Sequence, residues 1–412
     1  MSVTGKLDSA ALAGALTGIR QAHPLLGARL ERDDLGNYWF VESTTSWPAP
    51  TWRYGDPDTP LLGAEMDQHQ ILSGLHIVHR GDNASVTILL HHSVADARYI
   101  LTALDHFWSA YTDIVERGAS GSATVAAVRR KVPESVEHIL LSRGYRKPSQ
   151  DAPGTSATAG TDAPVDGSLH PLHAATITDK GAAIMPPGAR IRLTARETAE
   201  LVTVGRTRDL RLNALVSAAI LLAEAQHQGS SSRPIPYRYA VDIRSRIAPP
   251  VAPTGGTNVL GSAIYRAVVQ PGTTAIELAR DLTAHLDHDL AEDIVQTRSL
   301  GLSADGRNPF PLGPDTVFST NWGKIPELRA PNGLALHDFR TAMVLSGADA
   351  VTLPPTEYPI GAGHIYTITT FRDRLGVELS PTVISRSRAE QLVDSIGSEL
   401  RSVTRLAAHH PR

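Results

Sequence analysis

Two periodicities alternate along this chain, and they meet near residue 90. Val86-Thr87-Ile88-Leu89-Leu90 is an apolar run of strand length with β-branched members. Over 95–115, Ile100, Leu101, Leu104, Phe107, Trp108, Tyr111 and Ile114 then recur at helical spacing, which predicts a helix with one apolar face. Asp8 is placed to cap a helix over 9–22 that His23-Pro24 stops. Further helices are expected over 133–143, 274–296 and 388–407. Thr194 and Glu197 have capping-box spacing for another. Asn213 stands before an Ala/Val/Ile/Leu run over 214–226, read as a capped helix buried on most sides. Strands are expected over 2–5, 37–41, 75–78, 190–193, 237–243, 263–269 and 316–319, with 364–371 and 375–379 as a closing hairpin.

Each half of the chain thus mixes strands with helices, an α/β pattern, and 412 residues are too many for one ordinary core. The expected division is an N-terminal unit over 1–146, a crossover over 147–186 and a C-terminal unit over 187–412. The crossover is assigned because the stretch from Lys147 to Asp166 lacks periodicity and is rich in Pro, Ser, Thr, Gly, Ala and Asp. No fixed-period repeat is visible.

Composition narrows the chemistry. Hydrophobic residues make up 42% of the chain, enough for sizeable cores, and a net charge of −3 argues against nucleic acid or an anionic membrane surface as main partner. Cysteine is absent, which removes thiol nucleophiles, disulfides and cysteine metal sites. No apolar run approaches a membrane span, and the N-terminus lacks the order of a secretory signal, so the cytoplasm is the expected location.

His91 and His92 close the 86–90 run, and Asp96 follows four residues after the second. The pair sits where a strand hands over to a helix, a frequent place for chemistry in layered α/β folds. A neutral imidazole facing a cavity is a natural general base. Ser93 and Asp96 have the spacing of a helix N-terminus, and Asp96 can also brace the turn by holding an arginine. These residues alone leave three readings open: a catalytic base, two satisfied core histidines with a capping aspartate, or a metal site. The last lacks a third ligand at a recognised spacing, and the expected metal content is none.

His91-His92-x-x-x-Asp96 resembles the HHxxxDG motif of the condensation-domain superfamily, which includes chloramphenicol-acetyltransferase-like enzymes. Four further stretches carry the likeness in order: His23-Pro24-Leu25-Leu26, the run Leu212 to Leu222, the run Ile235 to Arg244, and Ala248-Pro249-Pro250 on to Thr257-Asn258-Val259-Leu260-Gly261. Together they resemble the phthiocerol dimycocerosyl transferase type of polyketide-associated acyltransferase, across nearly the whole chain. Two departures stand out. Ala97 replaces the motif's glycine, a change that normal helical dihedrals tolerate. The chain also opens directly on its first strand-like segment, where relatives usually carry a further stretch.

The resemblance implies two chloramphenicol-acetyltransferase-like mixed-sheet sandwiches with an active-site tunnel between them. It implies His92 as general base, His91 as a structural neighbour, and Asp96 paired with Arg244 of the Asp242-Ile243-Arg244 element. Asn321-Trp322-Gly323 falls where relatives have a loop near the tunnel floor, so Trp322 is a candidate substrate contact or a core residue. The chemistry requires an oxyanion donor, for which Ser319, Thr320 and Asn321 are candidates. The implied activity is direct acyl transfer from a CoA or acyl-carrier-protein thioester to a hydroxyl of a lipid, polyketide or related product, with no cofactor. Arg143, Arg146 and Lys147, or Arg206, Arg208 and Arg211, are candidate docking residues for a carrier protein. A catalytically reduced scaffold and an amide-forming enzyme are the alternatives.

Overall fold

The computed structural model describes residues 1–43, 46–118, 130–146, 176–177, 183–184, 187–228, 233–301, 316–345, 363–380 and 384–409. Most of the expected crossover therefore lies outside the described residues, as does Lys147. The chain begins with β1 (Ser2–Thr4), α1 (Ser9–Ala22), β2 (Ala28–Arg32), β3 (Tyr38–Glu42) and β4 (Thr51–Tyr54). It continues with β5 (Ser73–Arg80), β6 (Asn83–Leu90) and α2 (Ala97–Arg117). Next come β7 (Glu134–Ser135), α3 (Val136–Ser142), β8 (Thr176–Ile177), β9 (Ala183–Ile184) and β10 (Ala189–Arg192). Helices α4 (Ala195–Thr207) and α5 (Leu212–Gln228) precede β11 (Ile235–Asp242), β12 (Gly256–Thr257) and β13 (Leu260–Ala267). The last stretch holds α6 (Ala275–Ala291), α7 (Ile294–Arg298), β14 (Val317–Lys324), β15 (Ala335–Asp338) and β16 (Val344–Leu345). It ends with β17 (His364–Phe371), β18 (Arg374–Leu379) and α8 (Arg386–His409).

Two mixed sheets organise the molecule, in the orders β15-β1-β6-β5-β4 and β10-β18-β17-β14-β11-β13. In the first, α1 packs on α2, whose Tyr99, Phe107, Trp108 and Tyr111 are fully buried. Each such side chain contributes roughly 1.5–3 kcal/mol by leaving water. In the second, α8 packs against α4, α5 and β10. The α5 helix is buried from Ala214 to Glu224, as its apolar character requires. This is the expected α/β architecture.

Two segments cross between the cores. Val136, Ile139 and Leu140 of α3 pack into the second core, although they precede residue 147. Ile325, Leu334, Leu336 and Phe339 join the first core, and β15 adds to the first sheet beside β1. Core membership therefore exchanges two segments relative to a simple 1–146 and 187–412 division. Ion pairs fasten the second crossing: Asp338 meets Arg190 at 2.7 Å and Arg192 at 3.1 Å.

Three local expectations change. The long helix over 274–296 breaks at Asp293, which adopts a left-handed φ of 55° and separates α6 from α7. Asn213 lies inside α5 rather than capping it, because its side chain is drawn to Asn321 at 2.7 Å. Asn321-Trp322-Gly323 belongs to strand β14, not to a loop, because β14 pairs alongside β17 through Lys324.

Candidate active site

The histidine turn bridges β6 and α2. Strand pairing ends at Leu90, opposite Ser73, and the His91 amide then donates to Leu72 O at 2.9 Å. A tight turn follows, closed by Val94 N to His91 O at 3.0 Å. Asp96 is the N-cap of α2: it has extended backbone, and its Oδ1 accepts from Tyr99 N at 3.0 Å. Ser93, the other residue of the expected N-terminal spacing, turns back to His91 instead. A carboxylate at this cap also faces the positive end of the helix dipole.

The two histidines have different surroundings. His91 is engaged at both ring nitrogens, Nδ1 with Ser93 Oγ at 2.6 Å and Nε2 with Gln68 Oε1 at 2.9 Å. Burial, and then the neighbouring His92, push its pKa below the ordinary imidazole value. His91 is thus a neutral brace for the turn. His92 is exposed, and its Nδ1 lies 3.1 Å from the carbonyl of Ala95. A carbonyl only accepts, so Nδ1 carries the hydrogen and Nε2 keeps its lone pair. That second nitrogen forms no hydrogen bond among the described residues.

Arg244 closes the site from the other half of the chain. Its Nη2 lies 2.8 Å from Asp96 Oδ2, with side-chain exposures of 5% and 0% respectively. The contact is an ion pair by distance, without the in-line geometry of a hydrogen bond. Arg244 also binds Asp242 Oδ1 through Nη1 at 3.2 Å and through its own amide at 3.1 Å. Asp242 in turn lies 3.5 Å from Arg98 Nε, on the first turn of α2. The neighbouring Arg246 is exposed. So Asp96 and Arg244, separated by about a third of the sequence, form a buried pair. Burial of two charges is tolerated because each is met by the other.

A residue given no role by the sequence reaches the same turn. Asn258 Nδ2 donates to the backbone oxygen of His92. Its backbone has a left-handed φ of 47°, a conformation asparagine tolerates better than most residues. The turn-forming habit of asparagine was readable in Thr257-Asn258-Val259, but not its target. His23, also part of the resemblance, sits behind the helix with Nε2 3.0 Å from His106 Nδ1, and Arg130 Nη2 approaches His106 Nε2 at 3.1 Å. Burial, then the fields of His106 and Arg130, lower the His23 pKa from 6.5 to about 3.

The β14 candidates make their contacts elsewhere. Ser319 is fully buried and shares a 2.6 Å hydrogen bond with Tyr237, whose hydroxyl also reaches Ser217. Asn321 is exposed and bonded to Asn213, while half-buried Trp322 packs in the first core near Phe339. None of these bonds runs to the turn from His91 to Asp96. Of the basic candidates, Arg143 and Arg208 follow the ends of α3 and α4, and Arg206 lies in the last turn of α4. Arg146 is exposed, and Arg211 is paired with Asp287 at 2.7 Å.

Comparison with known proteins places this geometry. Residues 183–380 match the family model described as the phthiocerol/phthiodiolone dimycocerosyl transferase C-terminus. The phthiocerol/phthiodiolone dimycocerosyl transferase of Mycobacterium tuberculosis (strain H37Rv) is 33% identical over 345 residues, covering 82% of this chain and 80% of the relative. The chain belongs to this acyltransferase family. The Mycobacterium leprae member is 32% identical over 348 residues, with the same coverage of 82% and 80%. Among solved structures, polyketide synthase associated protein 5 from Mycobacterium tuberculosis superposes with a TM-score of 0.74 at 27% identity, covering 98% of this chain and 92% of that one. The first condensation domain of the calcium-dependent antibiotic synthetase shares the fold at a TM-score of 0.60 and 14% identity, covering 98% and 89%. This family member thus has the mixed-sheet fold of the condensation-domain superfamily. No helix among the described residues is long and apolar enough to cross a membrane.

Proposed function

We propose that this chain is an O-acyltransferase that moves an acyl group from a CoA or acyl-carrier-protein thioester to a hydroxyl of a lipid, polyketide or related natural product. The observation that carries this reading is His92, whose Nδ1 is tied to the Ala95 carbonyl while Nε2 forms no hydrogen bond among the described residues. In the proposed step, Nε2 takes the acceptor's hydroxyl proton as the oxygen attacks the thioester carbonyl. The new C–O bond gives a tetrahedral oxyanion. Its collapse breaks the C–S bond, and the leaving thiolate takes the proton back from the imidazolium. The chain has no cysteine to carry an acyl group, and the step calls for neither a cofactor nor a metal.

Asp96 and Arg244 are proposed to hold the turn, with His91 as their neighbour, rather than to touch substrate. On β14, Asn321 and Trp322 keep exposure for substrate or oxyanion contact, whereas Ser319 is committed to Tyr237. Donor and acceptor are proposed to meet at His92 through a tunnel between the two halves, which would exclude water from the thioester. The mycobacterial relatives named for dimycocerosyl transfer favour a lipid-type acceptor. The test is mass spectrometry of acyl-CoA or acyl-carrier donors incubated with alcohols and amines, with initial rates at varied concentrations of both substrates. Ester products and intersecting double-reciprocal lines are expected. Parallel lines with an acylated protein would overturn direct transfer; tight binding without turnover would favour a scaffold, and amide products the amide-forming alternative.

A further inference from the structure

We propose that Asn258 is a positioning residue for this reaction, holding the backbone of His92 from the opposite half of the chain. The inference rests on His92 as the base. His92 falls between two regular elements, since β6 ends at Leu90 and α2 begins at Ala97. Its carbonyl therefore has no partner from a strand ladder or helix turn, and the amide of Asn258 supplies one. Because a carbonyl only accepts, the NH2 end of the asparagine must face it, leaving Oδ1 buried and without a hydrogen-bond partner among the described residues. The ring of His92 is held by Ala95 and its peptide by Asn258, so the imidazole is located from both ends.

The support behind Asn258 is stiff. Gly256 and Thr257 pair in parallel with Glu134 and Ser135, and β13 starts at Leu260. A Cβ on Gly256 would come within 2.6 Å of both Ile139 and Val259, so the strand is packed closely against α3. Val259 O also accepts from Ile243 N at 3.3 Å, tying the segment to the element that carries Arg244. Asn258 is thus a short side chain on a fixed, left-handed backbone point between two strands. Such a support transmits the relative placement of the two halves to the base.

Proton transfer is sensitive to placement, and a misplacement of about 1 Å can cost on the order of a hundredfold in rate. Asn258→Ala and Asn258→Gly should each lower kcat about tenfold to a hundredfold, with KM for thioester and alcohol changed by less than about twofold. The glycine variant keeps the left-handed backbone and removes only the amide, so it should match alanine. Asn258→Asp, nearly isosteric and so the variant most apt to fold, should lose more, since its carboxylate would face the His92 carbonyl. The acid limb of the pH–rate profile should stay in place while its plateau falls. His92→Ala is measured alongside. An inactive His92→Ala beside an unaffected Asn258→Ala overturns this inference alone, as does a raised KM with unchanged kcat. A fully active His92→Ala overturns the base and this inference together.

Discussion

Asp96 in the first half and Glu224 in the second are both buried acids near histidines, and they work differently. Glu224 of α5 is 1% exposed and uses a single oxygen, Oε1, to accept from Tyr366 OH and to meet His364 Nδ1 at 2.6 Å. Burial and then the charge of Glu224 drive the Tyr366 hydroxyl well above its ordinary pKa, so it stays a donor. Both partners come from β17, and the cluster joins one helix to one sheet. Asp96 is just as buried, but it reaches across to Arg244 of the other half and caps a helix with its remaining oxygen. It does not touch the histidine it serves. His92 is oriented by a neutral carbonyl and has no hydrogen-bond partner at Nε2 among the described residues, whereas His364 is tied to a carboxylate within the core. A carboxylate against a histidine is therefore not the mark of the proposed base. That proposed base, His92, is the exposed histidine of a turn that buried charges brace from both halves.

The comparison breaks most sharply at His92. His92→Ala should lower transfer by about two to four orders of magnitude while leaving thermal unfolding near that of the wild type; near-normal kcat would remove the distinction. Asp96→Ala or Arg244→Ala should cost roughly 3–5 kcal/mol of stability, because each leaves an uncompensated buried charge. The double variant should recover part of that loss in denaturant unfolding, and strictly additive losses would show that the two do not interact. Glu224→Gln, by contrast, should cost about 1–3 kcal/mol through poorer satisfaction of the two donors, with kcat unchanged below the melting transition. A large fall in kcat there would show that the second cluster shapes the site.

A smaller effect concerns pH. The unfolded chain protonates His23 near 6.5, the folded chain only near 3. Between these values the unfolded state binds more protons, so stability falls as pH drops below about 6.5, by at most about 1.4 kcal/mol per pH unit from this residue. His23→Gln should flatten that slope in urea midpoints measured from neutral to mildly acid pH. An unchanged slope would show that the folded histidine already takes up the proton.

Much of the site was legible in order along the chain. The apolar run ending at Leu90 and the helical spacing from Ile100 to Ile114 located the junction, because both periodicities are local consequences of backbone geometry. Asp8, Thr194 and Thr274 cap their helices in the structure through short-range contacts that sequence spacing encodes. The pairing of Asp96 with Arg244 was readable only through family resemblance, since nothing local links residues so far apart. Asn213 misled because a capping side chain and a long-range partner look alike in sequence, and its Oδ1 accepts from Asn321 Nδ2.

What the sequence determined by itself was the succession of strands and helices, the buried character of α5, and a histidine turn supplied with an acid. Those are properties of residues within a few positions of one another. Tertiary structure alone decided that β15 would complete the first sheet, that α3 would enter the second core, and that Asn258 would meet the carbonyl of His92. It also decided which nitrogen of His92 meets the Ala95 carbonyl, because that depends on the direction of one carbonyl in a folded turn. Such contacts join surfaces whose complementarity exists only after both halves have packed, and so no local pattern can specify them.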